Sequence, residues 1–255
     1  MSFHSLCIEQ TVHVRINADS YNESYGSEEK RMKYCSCVNR RVLLKLGFGT
    51  AVSLFSGFVF SANKALRLAR TPRHTEGPFY PLQDQADKDA NLVQIIGLQG
   101  EAAGDRIEVR GRVLDKRGAP VSGVLVEIWH ANKWGRYDHR RDRNSAPLDP
   151  NFQGWGQLLS SEDGSYSFQS IFPGIYPAAP DWKRPPHIHF KVSRRGFHLL
   201  TTQMYFPGQE LNAKDLLLQR LPAAEQALLI AKEEGIHQLN GDPVARYIFD
   251  IVLRK

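Results

Sequence analysis

A chain of 255 residues that is 42% hydrophobic and 24% charged can bury a sizeable core, so it needs neither disulfide staples nor repeats for stability. Its net charge of +6 comes in short clusters such as HRRDR (139–143), with no interleaved aromatics and no nucleic-acid motif. We read them as a solvated face and expect no nucleic-acid partner. All three cysteines, Cys7, Cys35 and Cys37, precede residue 38, which excludes a disulfide framework or a thiolate metal site from everything downstream.

In chain order, residues 1–38 form a polar leader with no helix or strand period. Cys35-x-Cys37 offers only two ligands there. Met32-Lys33 makes the more usual start for a basic-then-apolar segment, so translation is expected to begin at Met32. Residues 39–70 carry Arg40-Arg41, then Leu43-Leu44-Lys45, then a weakly apolar run from Leu46 to Ala62. This resembles a twin-arginine export signal. The run reaches the length where a spanning helix begins, but its glycines and serines make it poorly apolar. Ser61, Ala62 and Ala65 only approximate a cleavage site, so an uncleaved anchor stays open. The expectation is export to the periplasm or anchorage on the outer face of a membrane. The twin-arginine route, as known for its class, carries folded proteins, which favours a cofactor-bearing domain downstream.

Residues 71–255 read as one all-β domain. IEVRGRV (107–113) alternates Ile107, Val109 and Val113 against charged neighbours. VLVEIWH (124–130) and SYSFQSI (165–171) alternate likewise, and 199–206 and 246–253 are expected strands. KRGAP (116–120), EDGS (162–165) and FPGIYP (172–177) supply turn chemistry between the runs. Helical material is expected at about 212–234, with Pro222 dividing one helix from the next. The fold expected is a β-sandwich core with long active-site loops and a short C-terminal helical segment.

RPPHIHFKV (184–192) poses the functional question. A strand's period of two puts His187 and His189 on one face and Ile188, Phe190 and Val192 on the other. The imidazoles then reach one point, either as two nitrogen ligands or as a buried hydrogen-bonded pair. Oxygen donors are at hand in Tyr137 and Tyr176, each two residues after a glycine in an expected loop. A phenolate is a hard anion suited to ferric iron, and two phenolates with one hydroxide would balance a trivalent ion. Taken singly, without the histidine pair, each tyrosine reads as a packing or hydrogen-bonding residue.

The motifs TEGPFYP (75–81), GRVLDKRGAPVSGVLVEIWHANKWGRYDH (111–139), DPNFQGWGQ (149–157), DGSYSFQSIFPGIYP (163–177), RPPHIHFKV, TQMYFPG (202–208) and YIFDIVL (247–253) together resemble the intradiol ring-cleavage dioxygenases. The resemblance spans about residues 72–255 and is nearest to the iron-binding β-chain type. It implies a non-haem Fe(III) held by Tyr137, Tyr176, His187 and His189, with Arg184 stabilising an anionic ring and Gln203 lining the site. It also implies that a catechol-type, protocatechuate-like substrate and O2 give a cis,cis-muconate-type diacid, Tyr176 giving way to the substrate as it binds. Homo-oligomers, or hetero-oligomers with a related chain, are implied too. Two departures bear on substrate and packing: Ala178 replaces a bulky aromatic, and His130 stands where a glutamine is usual and is expected to be structural. Gln157 replaces an arginine. His74, His139, His198 and His237 are expected on the surface or in loops, and Trp129 and Trp155 in packing. The rival reading is an exported iron- or aromatic-binding sandwich protein without turnover.

Overall fold

The computed structural model describes residues 67–254. The leader, the Cys35/Cys37 pair and the twin-arginine motif with its apolar run lie outside the described residues. Among the described residues, no helix is long and apolar enough to cross a membrane.

The chain runs β1 (Arg106–Leu114), β2 (Leu125–Trp129), β3 (Trp155–Leu159), β4 (Ser165–Ile171), β5 (Tyr176–Ala179), β6 (Trp182–Arg184), β7 (His187–Arg194), β8 (Phe197–Tyr205), β9 (Lys232–Leu239), β10 (Asp242–Ile248) and β11 (Ile251–Val252). One sheet has β1 at its heart. β4 pairs antiparallel on one side of it, β10 and then β11 pair parallel on the other, and β9 is added antiparallel outside β10. The second sheet is antiparallel in the order β3-β2-β7-β8, and β5-β6 forms a separate hairpin. The all-β expectation holds.

The alternating strands meet in one core because the inward residues of both sheets are apolar. Val109 and Phe168 of the first sheet and Val126, Ile188 and Phe190 of the second are all buried in it. Phe190 sits between the layers, with its ring 6.0 Å from Phe168, 6.1 Å from Tyr166 and 5.1 Å from Phe249. Burial of one such side chain contributes about 1.5–3 kcal/mol. The ends of the domain are tied together: Thr71 donates its N–H to the Val252 carbonyl at 3.1 Å, and its Oγ1 accepts from the Val252 N–H at 2.8 Å.

Two expectations need correction. The segment 212–234 is not a pair of helices. It holds 3₁₀ turns at Glu210–Lys214 and Leu218–Arg220 and a four-residue helix, Ala223–Gln226, which Pro222 begins rather than divides. Helix propensity loses to tertiary contacts here. Leu218, Leu229 and Ala231 are drawn into the core, and Leu229 and Ala231 take backbone hydrogen bonds with Tyr205 that continue the second sheet. At Lys232 strand β9 already begins. The closing strand also breaks, ending β10 at Ile248 and restarting at Ile251.

His130 crosses between the layers. Its Nδ1–H donates to the Ala131 carbonyl at 2.8 Å, which leaves Nε2 to accept from the Ser170 hydroxyl of β4 at 2.7 Å. Both ring nitrogens are committed, as a structural residue requires. Burial lowers its pKa to about 4, against a small opposing pull from the Ala131 carbonyl. The unfolded imidazole takes up its proton near pH 6.5, so the neutral ring's stabilisation is complete above 6.5 and is lost as pH falls towards 4. His130→Gln should remove about 2 kcal/mol of the wild-type stability difference between pH 7.5 and pH 5.0. Urea unfolding of both proteins at the two pH values measures this.

Candidate metal centre

The strand register assembles the site. His187 and His189 project from the same face of β7 and are buried, each 2% exposed. On one side Trp129 of β2 pairs with His189, and on the other Tyr205 and Gln203 of β8 pair with His187 and His189. In the hairpin, Tyr176 of β5 pairs with Arg184 of β6. These pairings gather Tyr176, Arg184, His187, His189 and Gln203, and Tyr137 joins them from a loop, completing the six sequence-predicted residues.

The two tyrosines arrive on loops that touch backbone to backbone. A Cβ on Gly174 would fall 2.3 Å from the Gly135 nitrogen and 2.4 Å from the Lys133 carbonyl oxygen, and one on Gly135 would fall 2.1 Å from the Ile175 carbonyl oxygen. Only glycine permits this approach, and Gly135 also needs φ +77°. Buried Asn132 knots the loops together. Its carbonyl accepts from Gly135 at 3.0 Å and Gly174 at 2.9 Å, and its side-chain oxygen accepts from the Trp134 and Arg136 N–H groups. The glycine two residues ahead of each tyrosine is thus the contact that brings the phenols together.

The rings converge. The Tyr137 and Tyr176 centroids are 5.5 Å apart, Tyr176 lies 5.7 Å from His187, and Tyr137 lies 6.3 Å from His189. Trp129 stacks on His189 at 4.8 Å with planes 10° apart, and Tyr205 stacks on His187 at 5.9 Å. The loop at 75–81 closes one side, with Phe79 4.7 Å from Tyr137 and Tyr80 edge-on to Trp129 at 5.0 Å.

The protonation pattern fits a cation. His187 Nδ1–H donates to the Pro185 carbonyl at 2.7 Å, so its Nε2 is a lone pair, and that atom lies 3.2 Å from His189 Nε2. Two such nitrogens need a proton or a cation between them. Burial, reinforced by Arg184, holds both imidazoles well below the usual histidine range, hence neutral as ligands must be. The buried Tyr137 hydroxyl has no hydrogen-bond partner, a cost that a bound ion would remove. Burial pushes the Tyr137 pKa well above 10, with Tyr176 adding to the rise and Arg184 opposing it. Burial raises Tyr176 as well. These phenols ionise only against a strong positive charge. Among the described residues, no group of three or more His, Cys, Asp or Glu side chains could hold a metal, so any ion here takes its oxygen donors from the tyrosines.

The model of a family described as "Dioxygenase" matches residues 75–255. A protocatechuate 3,4-dioxygenase β chain of Burkholderia cepacia is 44% identical over 191 residues, covering 71% of this chain and 78% of its own. The chain belongs to the intradiol ring-cleavage dioxygenase family. Catechol 1,2-dioxygenase 2 of Acinetobacter lwoffii is 35% identical, covering 54% of this chain, which in turn spans 52% of that protein. Among solved structures, the dioxygenase domain of a carbohydrate-binding fusion protein from Streptomyces sp. SirexAA-E superposes with TM-score 0.53 at 28% identity, covering 73% of this chain and 99% of that one.

Several residues of this intradiol site were not read from the sequence. Asn132 looked like any loop amide, and Trp129, expected in packing, also orients His189. Tyr205 and Asp215 lie beneath Arg184, and nothing in the run KDLLLQ marks its aspartate. His74, expected on the surface or in a loop, is half-buried against Tyr205, 5.9 Å between ring centres, and its pKa is lowered to about 4 by burial and then by Arg184. His139 is also partly covered, 5.8 Å from Phe79.

Gly174→Ala should cost about 1–3 kcal/mol through overpacking and spread the two phenols. The expected outcome is a folded protein with metal content per chain well below wild type, measured by metal analysis alongside thermal unfolding.

Proposed function

We propose that Tyr137, Tyr176, His187 and His189 hold a non-haem ferric ion, and that the chain cleaves a catechol-type ring between its two oxygen-bearing carbons. One carbon–carbon bond breaks and each of those carbons gains one oxygen atom of O2, so catechol plus O2 becomes a cis,cis-muconate-type diacid. The observation that carries this reading is the meeting of two neutral imidazoles with two phenols, one of them a buried hydroxyl without a partner.

When bound, ferric iron supplies Lewis acidity and a template for the two substrate oxygens. The protein's own groups do the rest. With that ion bound, the oxygen of Tyr176 would be a phenolate able to accept a proton from a substrate hydroxyl. Arg184, buried in the wall beside Tyr176, sets a fixed positive charge where negative charge develops on the ring. Gln203 accepts from Arg184 Nη2 at 2.6 Å, which turns the guanidinium edge to the site. Phe79, Trp129 and the buried tyrosines exclude water from the reacting centre.

The substrate reading is a protocatechuate-like catechol with room for a larger ring substituent. It is supported by the hairpin tip beside Tyr176, where Ala178, Ala179, Pro180 and Asp181 are small or exposed. Partnership with a related chain is supported by the β-chain name of the protocatechuate relative. Export is supported by Arg40-Arg41 and the run behind them.

Oxygen uptake with product mass analysis across protocatechuate, catechol, hydroxyquinol and caffeate tests the reaction. Consumption of one O2 per substrate, with a product heavier by both oxygen atoms, is expected. Iron-loaded protein that consumes no O2 with any of them would leave only a binding role. His187→Ala should lose bound iron and its visible absorbance. Arg184→Gln should keep the iron and lower kcat by about 100-fold.

A further inference from the structure

We propose that Asp215 is a positioning residue, which with Tyr205 locks the Arg184 guanidinium into the one orientation that presents its free edge to the substrate. The proposal rests on the role given to Arg184 above.

Asp215 is fully buried, and both of its oxygens are saturated. Oδ1 accepts from Arg184 Nε at 2.9 Å and from Trp182 Nε1 at 3.1 Å. Oδ2 accepts from the Tyr205 hydroxyl at 2.9 Å and the Leu218 N–H at 3.2 Å. The guanidinium is held a second time at Nη2, which donates to Gln203 at 2.6 Å and to the Tyr205 hydroxyl at 3.0 Å. A planar fork fixed at Nε and at Nη2 has no rotation left. The remaining nitrogen, Nη1, takes no part in these contacts. Arg184 pairs with Tyr176 across the β5–β6 hairpin, which places it beside the phenols.

The carboxylate comes from the wrapped segment that replaces the expected helices, between the turns at Glu210–Lys214 and Leu218–Arg220. A helix through 215 would keep the Asp215 side chain on its own surface. The wrap drives it beneath Trp182 and Arg184 instead. Asp215 holds the guanidinium from behind, so both the positive charge of Arg184 and the direction of its N–H groups are fixed toward the ring.

The test is a double-mutant cycle on the iron-loaded full chain, with kcat and KM measured separately and iron content checked for each protein. Asp215→Asn is expected to lower kcat at least tenfold, with KM within about threefold, as loss of an interaction made in the transition state requires. In the Arg184→Gln background it should add less than a twofold further loss. Tyr205→Phe keeps both charges and serves if Asp215→Asn does not fold. Its expected loss in kcat is three- to tenfold in wild type and less than twofold beside Arg184→Gln. Equal losses in both backgrounds, or no loss in the wild-type background, would overturn the positioning role. If iron-loaded wild type turns over no catechol, it is the assigned reaction that fails. The lock is then read from high-resolution crystal structures of wild type and Tyr205→Phe. An unchanged, equally ordered guanidinium in the variant refutes it, and a displaced or disordered one supports it.

Discussion

The site depends on the contact between Gly135 and Gly174. These two backbones approach so closely that neither tolerates a Cβ, and Asn132 accepts a hydrogen bond from each. The loops are thereby one rigid body with a phenol on each arm. The imidazoles need no such device, because a β-strand's period of two delivers them to one face at no extra conformational cost. Two loop residues and two strand residues meet because the loops are stapled and the strand is already straight.

The surroundings are arranged for neutrality in the absence of an ion and for charge in its presence. Burial raises the phenols and lowers the imidazoles, so the empty arrangement carries no net charge of its own. The buried fixed charges in the wall are Arg184 and Asp215, and they cancel. The ferric ion proposed for this site would be the dominant local charge, and ionisation of the phenols would follow from it rather than from neighbouring side chains. Stacking by Trp129 and Tyr205 holds the imidazole planes, and the Pro185 carbonyl fixes which nitrogen of His187 faces inward.

Much of this was legible in the amino acids. The strand at 165–171 was read to the residue, since its aromatic–serine alternation has only one period. His187 and His189 were legible for the same reason, and the tyrosines through their preceding glycines and the family motifs. The segment 212–234 was misread because its leucines and alanines carry a helical preference that the core overrides. Asp215 was invisible for a related cause: a single carboxylate among leucines declares nothing about a partner thirty-one positions earlier in the chain. Asn132 escaped because its work is done on backbone groups, which leave no residue pattern.

The clasp between Thr71 and Val252 bears on the order of events during synthesis. The strand at the heart of the first sheet finds its last neighbours in residues 242–252, and Thr71 fastens only to the second of these partners. The first sheet is therefore complete only once residues 242–252 have emerged from the ribosome. Until then β1 lacks its neighbours on the β10 side, although β4 and the facing strands β2 and β7 are already made. Completion of that sheet is accordingly a late event, later than synthesis of the segments that carry Tyr137, Tyr176, His187 and His189.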